Sequence, residues 1–231
     1  GITLLHTRFN KNFERRDRIY NRQEFTGNQN MNAGFHYQFS HASLSFFGEG
    51  AVSSSGGLGA LGGMLAALAP AVDFSLLYRH YSPHFHSFYG AAFGEASRNI
   101  NESGIYTGLK FSPNKRWALS AYADLFSFPW MRYLVDAPST GQEYFIRLGF
   151  RPDRQQTFFV QYRFEQKARN VRENTTRTDF LADTRKHQLW LNAEVKPFPK
   201  TAFRSRLQLS SFSQTGASSG LAFAQDVNYK F

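Results

Sequence analysis

The chain has 231 residues, no cysteine, 17% aromatic residues including 25 phenylalanines, a mean hydropathy of −0.45 and a net charge of +10. That length suffices for one sizeable domain, and the lack of thiols fits an oxidising compartment. No run of 18 or more apolar residues occurs, which excludes a membrane-spanning helix. The basic residues are scattered, with no recognition-helix pattern, so no nucleic acid contact is expected.

Reading for period two gives about twelve strand-like segments in chain order. The first spans residues 2–9. Next come 31–40, with Met31, Ala33, Phe35, Tyr37 and Phe39 on one face, and 42–52, with Leu44 and Phe46. A glycine-rich fourth, 57–66, leads through Pro70 into 72–81, where Val72, Phe74, Leu76 and Tyr78 alternate with Asp73, Ser75 and Arg79. Then follow 104–111, 117–126, 143–151, 157–165, 187–196, 201–212 and 221–231. The glycine-rich run is too short for a membrane helix and reads as a hairpin of small residues.

Connection lengths alternate. Short turns are expected at Ser40 and His41, at Ala69 and Pro70, and at 112–116, 152–155 and 197–200. Long connections are expected at 10–30, 82–103, 127–142 and 166–186, with 53–56 short where a long one was due. Membrane barrels pair short periplasmic turns with longer extracellular loops, and about ten tilted residues per strand cross a bilayer. The long stretches 11–22 and 167–186 carry part of the basic excess. They read as charged surface loops, or as contacts to anionic lipopolysaccharide head groups.

Alternation alone leaves open which face looks inward; the distribution of charge decides it. The polar parity carries Arg79, Lys110, Arg147, Arg151, Arg163, Arg204, Arg206 and Lys230, facing Glu49, Asp73, Asp124, Glu143, Glu165, Glu194 and Asp226. The apolar parity is too rich in large aromatics to fill a small closed barrel. Its Tyr37, Tyr78, Trp117, Tyr144, Tyr162 and Tyr229 suit interfacial girdles. The chain ends on an apolar parity of Phe223, Val227, Tyr229 and Phe231. Val227, Tyr229 and Phe231 resemble the C-terminal signal that the barrel-assembly machinery reads in bacterial outer-membrane proteins. The expected fold is therefore all-β: a single-domain transmembrane antiparallel up-and-down β-barrel of about twelve strands. Starting at Gly1 without a leader, the chain reads as an exported protein already processed, or as part of a longer one.

The stretch from Asp73 to Tyr144 carries a likeness through LLYRHYSP, AFGE, GLKFSP, FSFPW and VDAPS-x-G-x-EY. It resembles the C-terminal barrel part of helix-hairpin-helix-containing outer-membrane proteins of Bacteroidota. The resemblance implies an outer-membrane barrel and covers about a third of the chain. Family members are longer, so the resemblance also offers a second reading, the C-terminal strands of a larger barrel. The helix-hairpin-helix module is absent here, so no DNA-binding residue is carried over.

Opposed arginines and carboxylates on the polar face have two readings. They can plug a narrow lumen as salt bridges, because an unpaired buried charge is costly. Or unpaired arginines (Arg147, Arg151, Arg163, Arg204 and Arg206, with Glu194 between them) can favour anions in transit. His80, His84 and His86 share one region but lack the convergence of a metal site, and no cofactor is expected. An outer-membrane lipase around His187, or a protease using Asp136, Asp179, Asp183 and His84, cannot be assembled from spacing. The apolar run from Phe126 through Val135 packs on a rim, folds into the lumen, or docks a membrane or periplasmic protein. The expected function is a porin-like, mildly anion-favouring conduit, gated by a partner in one version. The alternative is a scaffolding barrel closed by its own salt bridges.

Overall fold

The period-two segments form twelve antiparallel strands in one sheet, ordered as in the chain. They are β1 (Ile2–Phe13), β2 (Gly27–His41), β3 (Leu44–Ser53), β4 (Leu58–Ala69), β5 (Val72–Tyr81), β6 (Glu102–Phe111), β7 (Trp117–Phe128), β8 (Ser139–Phe150), β9 (Gln156–Val171), β10 (Phe180–Phe198), β11 (Thr201–Ser213) and β12 (Ala217–Tyr229). This computed structural model describes residues 1–171 and 178–229.

Register carries one face through the whole sheet. Phe35 pairs with Gly50, Gly50 with Ala60, Met64 with Leu76, Tyr78 with Ile105, and Ala121 with Ile146. Ile146 then pairs with Tyr162, Tyr162 with Leu189, and Leu207 with Phe223. Directly opposed residues lie on the same side of a sheet, so these apolar side chains form one continuous belt. The belt is open to its surroundings: Phe35 is 58% and Phe223 67% exposed. On β2, β3 and β7 it runs about nine residues along the strand, roughly 27 Å before tilt, close to the apolar band of a membrane barrel.

The opposite face is polar and is the one the rim loops cover. Residues 82–101, between β5 and β6, fold back across it. The Phe88 ring meets Phe9 and Phe13 of β1, and the His86 carbonyl accepts from Asn30 and Asn32 of β2. Glu95 pairs with Lys167 of β9. A single segment thus reaches strands near both sides of the sheet, which curls around it. Burial follows: Tyr81, Phe85, Phe126, Phe128 and Val135 are buried beside Arg79, Glu102, Asp124 and Glu143. The packed interior is this mixed cluster at the long-loop end, and the large apolar belt takes no part in it.

Several boundaries move from their sequence-based positions. The first hairpin turns at Ala42 and Ser43, not at Ser40 and His41, because Ala42 takes a left-handed backbone (φ 50°). The next short turns likewise shift to Pro70 and Ala71 and to Pro199 and Lys200. β9 and β10 pair beyond the apolar belt, from Lys167 with Thr184 up to Val171 with Phe180, and consume much of the expected loop. Gly59 of β4 has a packing reason: a Cβ there would lie 2.6 Å from the Phe85 ring. Among the described residues no ladder joins β1 to β12, so the sheet has two free edges.

Candidate functional site

The inward face of β5–β9 carries the densest chemistry. Arg79 of β5 is fully buried. Its Nε donates to Glu102 Oε1 at 2.6 Å, while Nη1 and Nη2 donate to Asp124 at 2.8 and 3.2 Å. The guanidinium lies against Gly104, where a Cβ would stand 2.6 Å from Cζ, so only glycine leaves it room. The Glu102 carboxylate also accepts the backbone N–H groups of Glu95 and Ala96, at 2.7 and 3.0 Å. One buried ion cluster therefore ties three strands to the inward-folded loop.

A second cluster adjoins it. Arg163 of β9 donates through Nε and Nη2 to Glu143 of β8, at 2.8 and 2.6 Å, and reaches Glu165 at 3.4 Å. Tyr122 donates to the same Glu143. Lys167 joins Glu165 at 3.3 Å and holds Glu95 of the loop. Burial pushes the Glu95 carboxyl above its usual range, and the bond from Lys167 only partly offsets this.

Further pins hold the same loop. Tyr81 donates to the Phe93 carbonyl at 2.7 Å, Ser55 to that of His84 at 2.6 Å, and Arg98 makes two bonds to Glu24 at 2.5 and 2.8 Å. Those bonds hold Glu24 below the usual carboxylate range, and burial holds His86 below the usual histidine range. The FSFPW run turns inward: Phe126 and Phe128 are buried, the Arg132 guanidinium stacks 3.3 Å from the Phe128 ring centre, and Asn101 holds the backbone of Trp130.

The remaining charges lie on the inward register toward the short turns. Lys110 faces Asp73 at 3.8 Å, Arg204 holds Glu194 at 2.9 Å, and Arg206 holds Asp226 at 2.7 Å. Arg151 sits in the turn beyond β8. Among the described residues no carboxylate pairs with Arg147, which stacks 3.8 Å from the Phe159 ring centre. Of the five arginines of the anion track, Arg163, Arg204 and Arg206 are thus neutralised in place. Beneath the clusters a cavity of about 630 Å³ opens among Ser75, Tyr106, Lys110, Ser120 and Tyr122 toward the short turns.

The six girdle aromatics all lie on the outward register. Tyr37, Trp117 and Tyr229 stand toward the short-turn end, and Tyr78, Tyr144 and Tyr162 toward the long-loop end. Tyr144 and Tyr162 fall within their strands rather than at the ends, because β8 and β9 continue past the belt, where Gln142 and Gln166 follow on the outward register. Tyr162 shares a 2.8 Å bond with His187. Val227 and Tyr229 close β12 on the belt side, and Phe231 and Lys230 lie outside the described residues. At the rim, Asp179 N–H donates to Asp136 at 3.0 Å, while Asp183 binds Gln166 and His84 lies with Ser55, so the protease set is not brought together. His80 bonds Ser103 at 2.8 Å on the outward side, apart from His84 and His86. No cluster of potential metal ligands occurs among the described residues. Sequence reasoning missed Glu102 and Glu95, which sit at a strand start and in a loop, where period two gives no cue.

No family model matches the chain, and no curated protein matches it. Two solved structures resemble it over most of their length. A NanC porin superposes with a TM-score of 0.38 at 11% identity, covering 87% of this chain and 94% of that one. A KdgM porin solved with disordered oligogalacturonate gives 0.33 at 7% identity, covering 88% and 92%. Likeness at this level leaves function to be read from the chain's own geometry.

Proposed function

We propose that this chain forms the wall of a porin-like conduit in a bacterial outer membrane, narrowed at its long-loop end by residues 82–101. The observation that carries the reading is the inverted distribution of side chains. Phe35, Ile146 and Phe223 face outward and exposed, while Arg79, Asp124 and Glu143 face inward and buried. Exposing such a belt to water would be costly, whereas lipid accepts it. Arg147, inward and with no carboxylate partner among the described residues, is the side chain on which the proposed mild preference for anions rests. The basic segment 11–22 at the long-loop rim suits lipopolysaccharide head groups, and the β12 terminus suits the barrel-assembly machinery.

The full burial of Arg79 favours one other reading: a scaffolding barrel whose lumen is sealed by its own ion clusters. Planar-bilayer recording separates the two. Discrete steps with anion bias, shifted toward cations by Arg147→Glu, are the expected result. A silent bilayer from protein that migrates as a folded band on an unheated gel would favour the scaffold and overturn the conduit.

A further inference from the structure

A second cavity, of about 240 Å³, lies under residues 82–101 on the inward face of β1–β5. Its lining differs from the ion clusters beside it. Ala51, Leu61, Tyr81, Phe85 and Tyr89 supply small, aliphatic and aromatic surface, and Glu49 is the only charged residue among the lining groups. Glu49 sits on the inward register of β3, opposite Leu61 of β4 and His36 of β2. Among the described residues no hydrogen bond or ion pair engages its carboxylate, whereas Arg79, a buried cation on the neighbouring wall, is already claimed by Glu102 and Asp124.

A mostly apolar hollow with one or two placed polar groups is the usual form of a small-molecule site, and this one is half open, with Glu49 and Tyr89 exposed at its mouth. Here the placed group is a solvated carboxylate that no protein cation claims among the described residues, and Tyr81, Phe85 and Tyr89 line the same hollow, where aromatic faces attract cations through their quadrupoles. We propose that this cavity binds a small organic ammonium ion, with its charge on Glu49 and its apolar body against Leu61, Tyr81 and Phe85. The volume corresponds to about eight liquid waters, room for one ring with a short amine arm. The loop that narrows the proposed conduit is the cavity's roof, so the site rests on that loop's placement but not on conduction.

The test is calorimetric titration of the folded chain in detergent micelles at pH 8, with phenethylammonium chloride as probe and 2-phenylethanol as its uncharged counterpart. The ammonium is expected to bind at least tenfold tighter than the alcohol. Glu49→Gln should erase that difference, and Ala51→Leu, which fills the hollow but keeps the carboxylate, should abolish binding of both. Each variant is first checked for the folded band on an unheated gel; Glu49→Asp, which retains the charge, replaces Glu49→Gln if the latter fails to fold, and should keep part of the preference. Equal binding of amine and alcohol by the parent chain, or an unchanged amine affinity in folded Glu49→Gln, would overturn the proposal. Binding without any bilayer conductance would remove the conduit reading alone, and conductance without binding would remove this one alone.

Discussion

Replacing Arg79 with methionine leaves Glu102 and Asp124 facing each other in a buried site without their shared cation. Removing one partner of a buried pair costs about 3–5 kcal/mol, because the remaining charge has lost both water and counterion. Arg79 is wholly shielded and serves two carboxylates, so the upper part of that range applies. For a chain of this length, a cost of about 4–5 kcal/mol corresponds to a fall of roughly 8–20 °C in unfolding midpoint. Thermal unfolding followed by circular dichroism in micelles, with the unheated-gel band as a second probe, measures it. The triple variant Arg79→Met, Glu102→Gln, Asp124→Asn removes the charges together and should regain more than half of the loss. A single-variant cost below about 1 kcal/mol, the value typical of a solvated pair, would show that water reaches Arg79. The buried cluster would then not exist in the folded protein.

Acidification should loosen residues 82–101. Neutral His86 is favoured in the folded loop, so its contribution is full above the usual value of 6.5 and is lost as pH falls below it. The Glu24 contribution is full above 4.5 and is lost as pH falls further. Glu95 acts in the opposite sense, its contribution being full in acid and lost as pH rises past 4.5. Limited proteolysis in micelles should therefore cut the loop faster at pH 5 than at pH 7.5, and His86→Gln should flatten that difference; an unchanged cleavage rate would contradict the assignment. Adjacent positions test the two faces of β8. Leu148→Arg places a charge in the apolar belt and should cost about 2–4 kcal/mol in folding titrations into lipid vesicles. Arg147→Ala loses a stack on Phe159 worth about 0.5–1 kcal/mol; equal costs at the two sites would refute the orientation.

The strands were legible because alternation is a direct image of the pleat. Tyr78 and Arg79, one position apart, announce opposite faces and take them. Most turns were legible to within a few residues, missing only where a backbone device such as the left-handed Ala42 sets the corner. The candidate site was half legible. Parity placed Arg79, Asp124, Glu143 and Arg163 inward, but it could not say which carboxylate each arginine would choose, since partners lie on neighbouring strands whose stagger the sequence does not show. The folding-in of residues 82–101 was hidden for another reason: Phe85, Glu95 and Glu102 follow no period, and the glycines that receive Phe85 look like ordinary turn formers.

The unjoined β1 and β12 bear on how the protein would enter the membrane proposed for it. Along each lateral border, alternate residues aim both peptide groups away from the ladder they belong to. In hydrocarbon every such bare group costs several kcal/mol. Bilayer entry is therefore conditional on zipping these two seams to strands of matching outward greasiness, which makes lateral closure a checkpoint that the twelve-stranded ribbon must pass before it can reside in lipid.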